Sequence, residues 1–215
     1  MKDLAATSRL APSTTPYHFP AGAPAALPAT YQIEGQEKSS EAFLAATDTA
    51  ALFVLKDGAV RLEHYALTGG PDVQWISMSV AKSFISALVG IAVAEGHIRS
   101  IEDALSDYVP VNPGSAYDGV SIKNVLQMSS GARWNEDYSD LNSDIHRLGA
   151  AMAGLITHDA FVAGMVRQSE PGTVCRYNSG DTQALGALLV HATGRSITDY
   201  MQEKLFEPLG MVDAG

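Results

Sequence analysis

Ser79 and Lys82 stand one helical turn apart in the stretch Trp75 to Glu95, WISMSVAKSFISALVGIAVAE. A serine hydroxyl becomes a strong nucleophile only when a neighbouring base takes its proton. A lysine screened from water loses part of its preference for the ammonium form, and it can then be that base. Three residues apart on a helix, two side chains have Cβ atoms about 5–6 Å apart and can meet. Ser79 also falls at the predicted helix N-terminus, where free backbone N–H groups and the helix dipole favour a developing oxyanion. The chemistry this spacing offers is acyl transfer through a serine ester. The pair alone is a weak signal: with six lysines and a serine at about one position in eleven, chance gives about 0.5 such pairs. An amphipathic helix with a wet serine–lysine face is the plain alternative.

The element that must hold the pair is a helix predicted over Val80–Ala94 and ended by Gly96. Most of its positions are apolar, as in a buried helix, yet Ser79, Lys82, Ser83 and Ser86 share one face. Upstream, residues 1–30 carry a proline at every fourth position from Pro12 to Pro28 and read as an extended arm. A helix is predicted over 37–48. Ala51–Lys56 and Ala59–Leu67 form a predicted hairpin through Asp57-Gly58. Downstream, short helices are predicted after Ser100, over Ile122–Met128 behind the cap Ser121, and over Asp144–Ala153 and Asp159–Arg167. Between them, residues 134–144, WNEDYSDLNSD, read as a polar, acidic loop. Further helices follow over Thr182–Ala192, capped by Asp181, and over Ile197–Leu205. A lone hairpin is not stable as a sheet, so its edges need partners that no later strand in the chain supplies.

The chain has 215 residues, 46% hydrophobic, with net charge −10 and pI about 4.9. An acidic chain lacks the basic face that phosphate neutralisation needs and the polybasic patch that anionic lipid attracts, so neither nucleic acid nor membrane is an expected partner. Cys175 is the single cysteine and excludes an internal disulfide. With no apolar leader visible, a cytoplasmic protein is the expectation. The six histidines show no metal-ligand spacing, and no phosphate loop, dinucleotide fingerprint or Gly-x-Ser-x-Gly elbow occurs. No cofactor or metal is expected.

Three segments then come in order: WISMSVAKSF with SALVGIAVAEGHI, VSIKNVLQMSSGARWNEDY, and EPGTVCRYNSGDTQALGALLVHATGRSITDYMQEKLFEPLGM. Together, over roughly residues 45–212, they resemble the serine β-lactamase-like hydrolases. The branch is that of class C β-lactamases, D-alanyl-D-alanine peptidases and β-lactamase-like esterases, and the 6-aminohexanoate-dimer hydrolase-like group fits best. The resemblance implies an α/β (α+β) fold, an antiparallel sheet flanked by helices plus a mostly helical lobe. It divides the chain into the arm 1–30, the hairpin and central helix within 31–99, a helical lobe 100–195 and a return to the sheet lobe over 196–215.

The same resemblance implies Ser79 as nucleophile, Lys82 as its proton acceptor and Tyr177 as second general acid/base, with Ser179 hydrogen-bonding within this network. The Ser79 N–H would form half of the oxyanion hole. Read from residues alone, a half-buried core tyrosine is the favoured reading of Tyr177. Trp134, Tyr138 and Asp181 are the candidate pocket residues. Glu136, Asp137, Asp140 and Asp144 are expected to be solvated, with attraction of a substrate ammonium by one or two of them the sharper alternative. Ser179 stands where class C β-lactamases carry asparagine, which suits the esterase and amide-oligomer branch. The family continues past Pro-Leu-Gly-Met with further strands, so the resemblance implies an N-terminal part whose sheet is completed by a complementary C-terminal chain or a homo-oligomer. The expected function is a serine hydrolase of small esters or linear amides. A non-catalytic binding relative and a β-lactamase or D-alanyl-D-alanine peptidase stand as alternatives.

Overall fold

The structure, a computed structural model, describes residues 7–213. The arm's residues 1–6 and the terminal 214–215 lie outside the described residues. The chain forms two compact units, residues 17–77 on one hand and residues 7–16 with 78–213 on the other.

In the 17–77 unit, β1 (Thr30–Ile33) pairs antiparallel with β2 (Gln36–Ser39), and α1 (Ser40–Ala46) follows. The helix predicted over 37–48 is therefore corrected: its first residues are strand. Glu34 and Gly35 both adopt positive φ (51° and 75°), the conformation of a two-residue hairpin turn. Ser39 then caps α1 by accepting from the Ala42 N–H. The sequence hides this hairpin because QEKS is wholly polar and TYQI offers only Tyr31 and Ile33, too short an alternation to mark a strand. The predicted hairpin is present as β3 (Ala51–Lys56) and β4 (Ala59–Tyr65), joined by Asp57-Gly58 at φ 54° and 73°. One edge of β4 has a partner in the arm: the Val60 N–H donates to Pro20 and the Gly22 N–H to Val60, each at 2.9 Å. No strand pairs with the other edge of β3 among the described residues, and Phe53, Val54 and Leu55 are exposed there.

In the larger unit, a 3₁₀ turn at Met78–Val80 leads into α2 (Ala81–Ala94). Then come α3 (Ile122–Leu126), α4 (Asp144–Met152), α5 (His158–Ala163), α6 (Ser179–Thr193) and α7 (Ile197–Met201), the last continuing as a π-helical turn over Gln202–Phe206. The core forms where α2 packs along α6, with Leu88, Val89 and Ala92 of α2 and Ala184, Leu188 and Leu189 of α6 all buried. Each such leucine or valine contributes about 1.5–3 kcal/mol by leaving water. The opposite side of α2, with Ser83, Ser86, Ala87 and Gly90, is exposed. Tyr200 of α7 donates to Glu95 at the end of α2 at 2.8 Å, and Lys204 reaches the same carboxylate at 2.6 Å. The described part of the arm is tied to this end too, through Ser13 N–H to Met211 (2.8 Å) and Ala11 N–H to Gln202 (2.7 Å).

Several predicted boundaries move for local reasons. The helix after Ser100 is a single 3₁₀ turn at Leu105–Asp107. α3 stops at Leu126 because the chain turns away at Met128 (φ 53°), three residues before Gly131. α5 is only six residues long, since Arg167 leaves to bridge Ala132. α6 opens at Ser179, three residues early, with Asn178 as its cap. Among the described residues no helix is long and apolar enough to cross a membrane.

Candidate active site

Ser79 is the middle residue of the 3₁₀ turn that feeds α2. Met78, just before it, is held at φ 45°, a left-handed conformation that costs a methionine on the order of 1–3 kcal/mol. The start of α2 has no side-chain cap. Its first N–H groups are thus not satisfied by a capping hydroxyl or carboxylate, as such groups commonly are. Lys82, in the first turn of α2, is half-buried and donates to Ser79 Oγ at 3.0 Å. The predicted spacing therefore becomes a real contact.

Tyr177 comes from the extended segment before α6. Two bonds fix that segment. The Arg176 N–H donates to the Met128 carbonyl at 2.8 Å, and Asn178 caps α6 by accepting from the Gly180 (2.8 Å) and Asp181 (3.2 Å) N–H groups. The Tyr177 hydroxyl donates to Ser79 Oγ at 2.5 Å, and Lys82 Nζ lies 5.0 Å from the centre of its ring. Hydrogen bonding from Lys82, then from Ser79, together with the Lys82 charge, holds the phenol below its ordinary value of ten. Partial burial and the negative charge of Glu136 push the other way. Two groups able to give or take a proton, the Lys82 amine and the Tyr177 phenol, thus meet on Ser79 Oγ.

The remaining predicted residues are distributed differently. Ser179, the first residue of α6, turns away from the trio and donates to both Glu136 oxygens, at 3.1 and 3.2 Å. Its implied bond within the Ser79–Lys82–Tyr177 network is replaced by this one. Trp134 is buried, with its indole N–H donating to Glu136 at 2.6 Å. Tyr138 is exposed, its hydroxyl 3.3 Å from the same carboxylate. Asp181 does not cap α6, and it lines a cleft of only about 10 Å³ beside Ser130 and Arg176. It is 1% exposed, inside the first turn of α6. Its Oδ1 accepts from Ser130 (2.7 Å), Tyr117 (3.0 Å) and Asn178 (3.1 Å), while Oδ2 has no partner. Burial pushes its carboxyl up to about 7, against the Ser130 and Tyr117 hydrogen bonds.

Two of the four loop acids are not simply solvated. Asp144 is buried, paired with Arg133 (3.2 Å) and Arg147 (3.3 Å). Glu136 is half-buried and takes bonds from Trp134, Tyr138 and Ser179. Nothing in its surroundings marks Glu136 in sequence, because it is one of four acids in a loop without periodicity. Beside Lys82, a groove of about 250 Å³ opens along Ser83, Ser86, Leu126, Met128, Thr182 and Leu185. A larger groove, about 760 Å³, lies in the 17–77 unit and carries none of these groups. Among the described residues no three His, Cys, Asp or Glu side chains gather as metal ligands would.

The chain is 30% identical over 169 residues to 6-aminohexanoate-dimer hydrolase of Paenarthrobacter ureafaciens, covering 74% of this chain and 43% of that protein. It is 29% identical over 178 residues to D-aminopeptidase of Brucella anthropi, covering 76% of this chain and 32% of the relative. A Bacillus anthracis structure named as a candidate 6-aminohexanoate-dimer hydrolase superposes with TM-score 0.84 at 17% identity. It covers 99% of this chain and 58% of its own, a likeness of fold. The chain thus spans well under two thirds of the length of each. The beta-lactamase family model matches residues 38–215, and the chain belongs to that family.

Proposed function

We propose that this chain carries the nucleophilic half of a serine hydrolase that cleaves small esters or short linear amides through an acyl-enzyme on Ser79. The observation that carries the reading is the meeting of Lys82 and Tyr177 on Ser79 Oγ, at 3.0 and 2.5 Å. Ser79 Oγ bonds to the substrate carbonyl carbon as its proton passes to the Lys82–Tyr177 pair. The carbonyl oxygen takes up negative charge, which the Ser79 N–H at the helix start stabilises. The bond to the leaving oxygen or nitrogen then breaks, and the leaving group takes the proton back from Tyr177. Water repeats the sequence on the acyl-enzyme and frees Ser79. No step calls for a metal or cofactor.

Both curated relatives are named for amide or peptide substrates, which supports a linear amide with a free amino end as the natural substrate class. Ser179, where class C β-lactamases have asparagine, supports the esterase and amidase branch over β-lactam hydrolysis. Cys175, a free and exposed thiol, suits a cytoplasmic setting.

The test uses a fluorophosphonate probe, nitrophenyl esters, an aminohexanoate dimer and a β-lactam. Labelling of Ser79 and its loss in Ser79→Ala are expected, with turnover of esters and linear amides down by about 10³-fold or more in that variant. Retained ester turnover in Ser79→Ala excludes the assignment. Binding without labelling makes the chain a ligand-binding relative, and preferred β-lactam turnover moves it to the β-lactamase branch.

A further inference from the structure

We propose that Glu136 is the positioning residue of this site: its carboxylate clasps Trp134, Tyr138 and Ser179 to fix the start of α6, and its charge acts on the Tyr177 phenol against that of Lys82. The inference rests on the acyl-enzyme reading above and assigns a task to a residue outside the reacting trio.

The geometry is specific. An ionised carboxylate offers about four acceptor positions, and here donors come from three side chains. The Trp134 indole N–H gives the shortest bond, 2.6 Å. Ser179 Oγ lies 3.1 and 3.2 Å from the two oxygens, and the Tyr138 hydroxyl 3.3 Å from one of them. Trp134 is at the same time pressed onto α6. A Cβ at Gly180 would stand 3.0 Å from its ring and 2.9 Å from Asn178 Oδ1, so glycine is needed for that close approach. The loop 134–138 and the segment 177–180 are thus one clamped unit, and Tyr177 belongs to it.

The charges facing Tyr177 are few. From α2 comes Lys82, and from the turn before it the neutral Ser79. From the loop come Glu136 and the neutral Tyr138. On its own segment, Arg176 is turned to Gln168 at 2.7 Å and Cys175 toward the Gln127 carbonyl at 3.6 Å. One cation, Lys82, and one anion, Glu136, thus act on the phenol in opposite senses. Lys82 draws its proton off and Glu136 keeps it on, so the tyrosinate, once formed, is a stronger base than Lys82 alone would leave it.

Glu136→Gln keeps the size of the side chain and removes the charge, while Ser179→Ala weakens the clasp and keeps the charge. In Glu136→Gln, the acid limb of kcat/KM for a nitrophenyl ester is expected to move down by about half a pH unit, with a plateau about tenfold lower. Ser179→Ala is expected to lower the plateau and leave the limb where it was. Titrating the Tyr177 phenol by ultraviolet difference against Tyr177→Phe reads the same downward shift without turnover. Glu136→Asn serves if the glutamine variant does not fold. Equal limbs and equal phenol titration in the wild type and the charge-removed variant overturn the proposal, even while Ser79 labelling upholds the hydrolase. If Ser79→Ala keeps full activity, the hydrolase reading fails and the phenol titration still reports on Glu136 by itself.

Discussion

At the scale of single residues, the chemistry depends on which groups can give up a proton and which must keep a charge. In the proposed mechanism Lys82 takes up a proton from Ser79, which a guanidinium does not do. Lys82→Arg is therefore expected to stay folded and to lose more than about 100-fold in kcat on a nitrophenyl ester, measured beside a thermal melt. Asp181 presents the opposite case, a carboxyl that burial pushes up to about 7 from an ordinary 3.8. Its folded value lies above its unfolded one, so between about pH 4 and 7 the native state holds the extra proton. That contribution to stability is complete below about pH 4 and is lost as pH rises through about 7. Asp181→Asn imitates the neutral acid. Urea titrations from pH 5 to 8 should show the wild type losing stability relative to Asp181→Asn, by on the order of 1–3 kcal/mol across the range. A constant difference would mean that Asp181 does not change its charge there.

Elements position these residues through a few close approaches. α6 begins where it does because Asn178 satisfies two N–H groups at its start, and the same side chain donates to Asp181. Asn178→Ala removes the cap and one of the bonds on a buried carboxyl. About 1–2 kcal/mol of stability should go from the cap alone, with kcat falling as well because Tyr177 is the adjacent residue. The turn at Gly131 is held more tightly still. Its φ is +80°, and a Cβ there would sit 2.2 Å from the Ser169 carbonyl oxygen. This turn accepts from the Gln168 (2.8 Å) and Ser169 (3.1 Å) N–H groups, while Gly172 N–H bonds Ser129 at 2.7 Å, so it aligns the strand-like run that leads to Tyr177. Gly131→Ala is expected to cost more than about 3 kcal/mol in chemical denaturation, whereas Gly149→Ala in α4, with nothing nearby, should be neutral or stabilising.

For the whole molecule, the open question of assembly sits on β3. Its backbone edge has no strand partner among the described residues, and Phe53, Val54 and Leu55 are exposed on it. An apolar, unpaired edge templates pairing with another strand. We expect residues 1–215 alone to elute in gel filtration above the 22.7 kDa of one chain, through β3. Val54→Lys should return it to the monomer position, because a charge on an edge strand resists strand addition. A monomeric wild type would remove the reason to look for a strand-donating partner, whether a second copy or a complementary chain.

Local sequence determined what local physics can determine. The Ser79–Lys82 spacing, the Asp57-Gly58 hairpin, the cap at Ser121 and the long apolar helices were legible, because turn chemistry, caps and helical periodicity act within a few residues. The family resemblance added Tyr177, which no spacing linked to Ser79 across 98 positions. The hairpin β1–β2 was hidden, since β2 is wholly polar, β1 has only Tyr31 and Ile33 on one face, and its turn uses a glutamate in the left-handed region. Only the tertiary structure decided the fate of the acids: Glu136 in the clasp, Asp144 between two arginines, Asp181 buried within the first turn of α6. A carboxylate's sequence neighbours do not reveal whether donors from distant segments will meet it or water will. That choice is made by packing, which brings residues 134–138 against 177–181 and leaves no room beside Gly180 for anything larger than hydrogen.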